Sequence, residues 1–346
     1  MTFESPHLVL HYVKGSAADR DLGQITRKRE LACQSISDAL GVKLEKKIDI
    51  YLYPTRESTR SGLGEGSTKD MNTILVNYYD FTPCYEKIHF GHELTHAISA
   101  RLVKSHLALL SEGLAEYLDQ SGRDLHASFS HHSRIFDHRV PFRMEREDVI
   151  DQRDYSRYLL LYTKGGSFVK FLVEGSGWKR FRDFYRATAN LGILHPLEDF
   201  AKKYKEIYGE ELVIAEARWN AVLAPYCTAF ELPRLAKSDD AAVRSLFAEQ
   251  DAAASLHDAT RIASTYDRLN RKMNSQFEAT MNYYANGLVS TELQDVFDLG
   301  IKNGHYALVN AVRHFNDGST HQIQYKVEKM EDGWTIQSED WSSARP

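Results

Sequence analysis

The sequence predicts an α+β protein in two domains. Three features lead there: strand and helix signals that alternate near the N-terminus, a long helical stretch in the middle, and a return to strands joined by tight turns at the C-terminus. A chain of 346 residues has room for two such domains.

The first strand is expected at 7–13 (HLVLHYV), which alternates and is rich in β-formers. Over 19–40, Leu22, Ile25, Leu31, Ile36 and Leu40 recur at roughly helical spacing, and Gly41 supplies a stop. KIDIYLY (47–53) reads as a strand ended by Pro54, SGLGEGSTKD as a Gly/Ser-rich loop, and NTILVNYY (72–79) as a further strand. Thr82-Pro83 has the form of a helix start, with Thr as cap, Pro at the first helical position and Glu86 in the first turn. From there to about residue 222 the pattern is mainly helical. The exception is a polar stretch at 121–157, long enough to suggest a lid or specificity loop. Composition changes near 225–237. Beyond it, an Ala-rich helical segment at 240–266 leads to three strand signals, HYALVNAVRHF, THQIQYKVEKM and WTIQ, linked by NDGS and EDG turns. The expected domains are therefore 1–228 and 237–346.

Composition narrows the function. Hydrophobic residues make up 42% and charged residues 26%, an ordinary core-forming balance, and no apolar run is long enough to span a membrane. The net charge of −5, without a long basic run, gives nucleic-acid binding no electrostatic support. The N-terminus lacks the basic and apolar regions of a signal peptide, and the three cysteines are widely separated; a cytoplasmic protein, or a secreted one trimmed to its mature start, is the expectation.

The chemistry concentrates in HELTH. His92 and His96 are four residues apart, so both imidazoles leave one face of a helix, as a tetrahedral zinc ion requires. Glu93 stands beside the pair, where it can take a proton from a water whose pKa zinc lowers to about 7. A catalytic zinc usually has a third protein ligand. A third histidine would need glycine at position 99 and histidine at position 102, but the chain has Ser99 and Leu102. The segment LLSEGLAEYL supplies a carboxylate instead. Glu112 and Glu116 share one helical face, while Leu110, Leu114 and Leu118 form the apolar one. Glu112 is the natural ligand, and Glu116 is placed to accept the Nδ1 proton of a liganding histidine. One Zn²⁺ is the expected cofactor.

HELTHAIS followed by LSEGLAEYL resembles the gluzincin metallopeptidases, most closely the peptidase MA-like domains. The segments KKIDIYLYPTRES, NTILVNYYDF and PLEDFAKKYKEIYGEELVIAEARWNAVL extend the resemblance over roughly residues 5–226. It implies a zincin-type catalytic domain, with a small mixed sheet above a helical lower half. His92, His96 and Glu112 would be ligands, Glu93 the general base, and strand 72–79 the edge strand that binds extended substrate. LYTKGGSFVKFL resembles the Tyr-x-Lys-Gly context of gluzincin aminopeptidases, which makes Tyr162 the expected oxyanion donor, with Tyr155 and Tyr158 as competitors. The amine-gripping Gly-x-Met-Glu-Asn segment of those enzymes is replaced here by MNTILVNYYDF, which favours internal cleavage or a non-standard substrate.

The C-terminal domain resembles the SnoaL-like, nuclear-transport-factor-like cone fold through its opening helices and QYKVEKMEDGWTIQ. Such domains are enzymes in some proteins and dimerisation or ligand-binding modules in others; without an acid/base constellation in this sequence, an accessory module, through which a homo-oligomer can form, is the expectation. The resulting expectation is a zinc peptidase acting on a peptide or protein substrate. The alternatives are a zinc hydrolase or tailoring enzyme for a small amide, ester or modified peptide, and a non-catalytic zinc-binding interaction protein. His131, His132 and His138 read as polar surface or lid residues, and His89 as packing beside the site.

Overall fold

A computed structural model describes residues 1–55, 66–79, 90–103, 107–119, 121–136, 143–144, 155–189, 191, 196–228, 234–266, 277–298, 306–330 and 333–340. The side chains of 131, 132, 134–136, 155–160, 227, 228, 330, 337, 338 and 340 are outside that description. The fold is α+β with two sheets. The chain divides into two compact units, Met1–Phe230 and Glu231–Pro346.

In the first unit, β1 (Thr2–Glu4), β2 (Leu8–Tyr12), β3 (Ile48–Tyr53), β4 (Gly66–Asp70) and β5 (Thr73–Asn77) form one sheet in the order β1-β2-β3-β5-β4. β2, β3 and β5 run parallel, while β1 and β4 are antiparallel to their neighbours. Alternation places Leu8 and Leu10 of β2, and Ile48, Ile50 and Leu52 of β3, in the core. β5 is buried continuously from Ile74 to Asn77, the pattern of a strand covered on both faces. The strand expected at the sheet edge is thus an interior one. Among the described strands the edges are β1 and, beside β5, β4, which lies in a segment whose Gly/Ser content reads as a loop.

Between β2 and β3 lie α1 (Ala17–Arg20) and α2 (Leu22–Leu40). Gly41 ends α2 in the left-handed conformation, with φ of 62°, as its position predicts. The buried stripe is Ile25, Ala32, Cys33, Ile36 and Leu40; Leu31 is turned to solvent at 67% exposure, because it falls one residue off that stripe.

The rest of the unit is helical: α3 (His92–Ser99), α4 (Ala108–Tyr117), α5 (Leu125–Phe136), α6 (Tyr155–Ala187, broken at Gly177), α7 (Pro196–Tyr208) and α8 (Leu212–Thr228). The stretch 121–157 is therefore not one irregular loop. Leu125, Phe129 and Ser133 recur every four residues and bury one face of α5, with Phe129 stacked on Trp219. The proposed start at Thr82-Pro83 lies outside the described residues.

The second unit begins with α9 (Lys237–Ser255), α10 (Ala259–Ser264) and α11 (Phe277–Gly287). It ends in an antiparallel meander of β6 (Leu288–Asp298), β7 (Tyr306–Phe315), β8 (Thr320–Met330) and β9 (Gly333–Asp340). The last three strands match their sequence signals. β6 lacks one, because most of its residues are polar and partly exposed. Ala307, Val309, Ala311, Ile323, Tyr325 and Val327 are part of the sheet's share of a separate core, packed with Phe247, Ile262 and Met281 from the helices. Among the described residues, no helix is long and apolar enough to cross a membrane.

Candidate metal centre

Helix α3 buries seven of its eight residues, from His92 to Thr95 and from Ala97 to Ser99. Leu94, Ala97 and Ile98 anchor it in the core, which leaves the histidine edge as its partly open side. Helix α4 does the same with Leu109, Leu110 and Leu114, and Glu112 stands on the opposite, partly exposed edge.

The two helices bring three donor atoms together. His92 Nε2 and His96 Nε2 are 3.3 Å apart, and Glu112 Oε2 is 3.4 Å from the first and 3.2 Å from the second. Among the described residues this is the group suited to hold a metal ion. A tetrahedral ion with bonds of about 2.0–2.1 Å separates its ligand atoms by roughly 3.3–3.4 Å. The observed triangle has those edges, and its donors, two imidazole nitrogens and a carboxylate oxygen, suit a divalent transition metal.

Electrostatics point the same way. Burial opposes protonation of His92, but hydrogen bonds with Glu112 and Glu116 and the charges of both carboxylates outweigh it and hold its pKa well above the usual value. Burial would raise Glu112, yet the charge of His96 and hydrogen bonds with both histidines drive it far below the carboxylate range. Two facing imidazole lone pairs and a carboxylate form a site of negative potential that draws positive charge, whether a proton or a cation.

Surrounding groups aim these side chains. His92 Nδ1 lies within ion-pair distance of Glu116 Oε1, at 3.3 Å. Ser111 Oγ is 3.4 Å from His96 Nδ1. The ring of Tyr162 stacks on His92, with centroids 5.8 Å apart and planes within 11°. Tyr155 and Tyr158 lie on α6, but their side chains are outside the description. Glu93 is held from the sheet: the Thr68 hydroxyl, on edge strand β4, is 2.6 Å from Glu93 Oε2 and 3.0 Å from its backbone oxygen.

A close helix crossing joins Tyr162 to this group. A Cβ on Gly165 would lie 2.4 Å from the Leu109 carbonyl oxygen, and one on Gly113 would lie 2.4 Å from the Gly165 carbonyl carbon. Only hydrogen fits at either position. The backbones of α4 and α6 therefore touch one residue from Glu112 and three from Tyr162.

Thr68, Ser111, Asp119 and Arg123 are neighbours of the cluster that the sequence reading missed. Asp119 and Arg123 carried a signal, an acid and a base four residues apart. Thr68 and Ser111 carried none. His131 and His132 fall on α5 with undescribed side chains, and His89 and His138 lie outside the described residues. No model of a known protein family matches the chain, and no curated protein matches its sequence.

Proposed function

We propose that this chain is a zinc-dependent peptidase that cleaves internal peptide bonds, with Glu93 as general base. The observation that carries the reading is the 3.2–3.4 Å triangle of His92, His96 and Glu112, with the base adjacent in sequence. When bound there, zinc supplies a Lewis acid and lowers the pKa of water to about 7.

The chain's own groups do the rest. Thr68 occupies Oε2 of Glu93, which leaves Oε1 to receive a proton from the attacking water and return it to the departing amine. Tyr162, against His92, donates its phenol proton in a hydrogen bond to the carbonyl oxygen as charge develops. Among the described strands β4 has a neighbour on one side only, and its other side offers backbone donors and acceptors to an extended polypeptide. The lack of an amine-gripping glutamate upstream of HELTH favours internal sites.

The protein loaded with one zinc is expected to cleave an unstructured polypeptide, to stop on chelation and to recover when zinc is restored. Glu112→Ala removes a ligand outright. It should weaken zinc binding by more than the roughly 10–100-fold typical of groups one shell out. Zinc uptake without cleavage of any peptide in a broad library would sink the peptidase reading and favour a small amide or ester substrate.

Thr68→Val removes the hydroxyl at nearly constant volume. Hydrogen bonds to charged groups contribute about 1.5–3 kcal/mol. A loss of about tenfold or more in kcat is expected, with zinc stoichiometry unchanged; Thr68→Ser should recover most of it. Steady-state kinetics on the three proteins provide the check.

A further inference from the structure

We infer that Arg123 is a positioning residue for the metal centre: by fixing the orientation of Glu116 it governs how tightly the site holds a divalent cation. The inference rests on the metal-centre reading above and extends it to a residue that touches none of the three ligands in the described contacts.

Arg123 Nη2 donates to Glu116 Oε2 at 2.5 Å and to Asp119 Oδ2 at 2.7 Å. One guanidinium nitrogen thus bridges two carboxylates whose side chains are only 5% and 4% exposed. With Oε2 of Glu116 taken, Oε1 is the oxygen that meets His92 Nδ1. The arginine decides which way the carboxylate faces, and the carboxylate decides which imidazole nitrogen carries the proton. A proton on Nδ1 leaves the Nε2 lone pair for the triangle with His96 and Glu112.

The guanidinium is itself held in place. Its Nε donates to Ser121 Oγ at 3.1 Å, and the Ser121 N–H donates to Asp119 Oδ1 at 2.7 Å. The Asp119 carbonyl accepts the N–H of Gly91, the residue before His92, at 3.2 Å. Asp119, Ser121 and Arg123 therefore connect the start of α3 with the acidic face of α4. Without the arginine, two buried carboxylates would face each other with less compensation, and Glu116 would swing away from its partner or from His92.

The test uses the full chain as wild type, Arg123→Gln, Arg123→Lys, Glu116→Gln and the Arg123→Gln/Glu116→Gln double variant. Zinc affinity is measured by competition with a chromophoric chelator, zinc release by stopped flow, and the thermal midpoint on metal-free protein. Arg123→Gln is expected to weaken zinc binding by about 10–100-fold, mainly through faster release. Arg123→Lys, which keeps the charge but loses the fork, should fall between it and wild type, and it carries the test if Arg123→Gln does not fold. The double variant should bind no more weakly than Glu116→Gln alone, because the arginine acts through that carboxylate.

Unchanged zinc affinity in the arginine variants would overturn the inference. With a lower midpoint it would reduce Arg123 to a structural tie. Additive losses in the double variant would also overturn it. A wild-type protein that takes up no zinc would instead overturn the metal reading beneath it.

Discussion

Glu93→Gln is expected to lower peptide hydrolysis by about 10²–10⁴-fold, the range associated with a positioned general base. The substitution keeps the side chain's size, and its amide oxygen still accepts from the Thr68 hydroxyl, so the link between α3 and β4 persists. Glu93 is not among the three clustered donors, so zinc content should stay at one per chain. Elemental analysis alongside kcat and KM separates the outcomes. Lost activity with retained metal supports a proton-transfer role. Equal activity in both proteins would remove Glu93 from the mechanism. Loss of metal together with activity would mean that the substitution disturbed the triangle and tested something else.

The second large effect concerns stability. Gly165→Ala should destabilise the first unit by about 1–2 kcal/mol, the balance of two opposing terms. Alanine gains up to about 1 kcal/mol over glycine inside a helix. Against this, the added methyl group meets the Leu109 carbonyl oxygen at 2.4 Å and Gly113 Cα at 3.0 Å, both backbone atoms that yield only if the helices separate. Overpacking of this kind costs about 1–3 kcal/mol, sometimes more. The thermal midpoint of a domain this size should fall by roughly 2–8 °C. Zinc affinity should fall too, because separating α4 from α6 shifts Glu112 and Tyr162 relative to His92. Gly23→Ala is the control. Gly23 lies in α2 with nothing within 4 Å of the added carbon, so that variant should hold or raise the midpoint. A Gly165→Ala protein as stable as wild type would show that the crossing has room to relax.

Much of the site was legible because its spacing is a helical property. Residues four apart share a face in any α-helix, so the His92/His96 and Glu112/Glu116 pairs could be read without a fold. Leu110, Leu114 and Leu118 identified the buried side of α4 for the same reason, and all three are in the core. Strands β2, β3, β7, β8 and β9 announced themselves through alternating or β-branched runs. β4 did not. Its sequence, GSTKD, has no apolar alternation, because an edge strand over an open site has only a partly buried face. That cost the reading both the identity of the edge and the role of Thr68. Leu31 erred in the opposite sense: apolar character alone put it in a stripe that the 3.6-residue period does not include.

The sequence by itself determined the candidate donor types, their pairing along each helix, the acid beside them and the α+β class. These depend on interactions within a few residues, where backbone geometry is fixed by local periodicity. Only the tertiary structure decided that the two pairs converge to within 3.4 Å, that β4 borders the sheet, and that Arg123 reaches Glu116. Those outcomes depend on how closely two backbones approach. At Gly113 and Gly165 that approach is set by the absence of a side chain, and no local pattern records which distant backbone will fill the space.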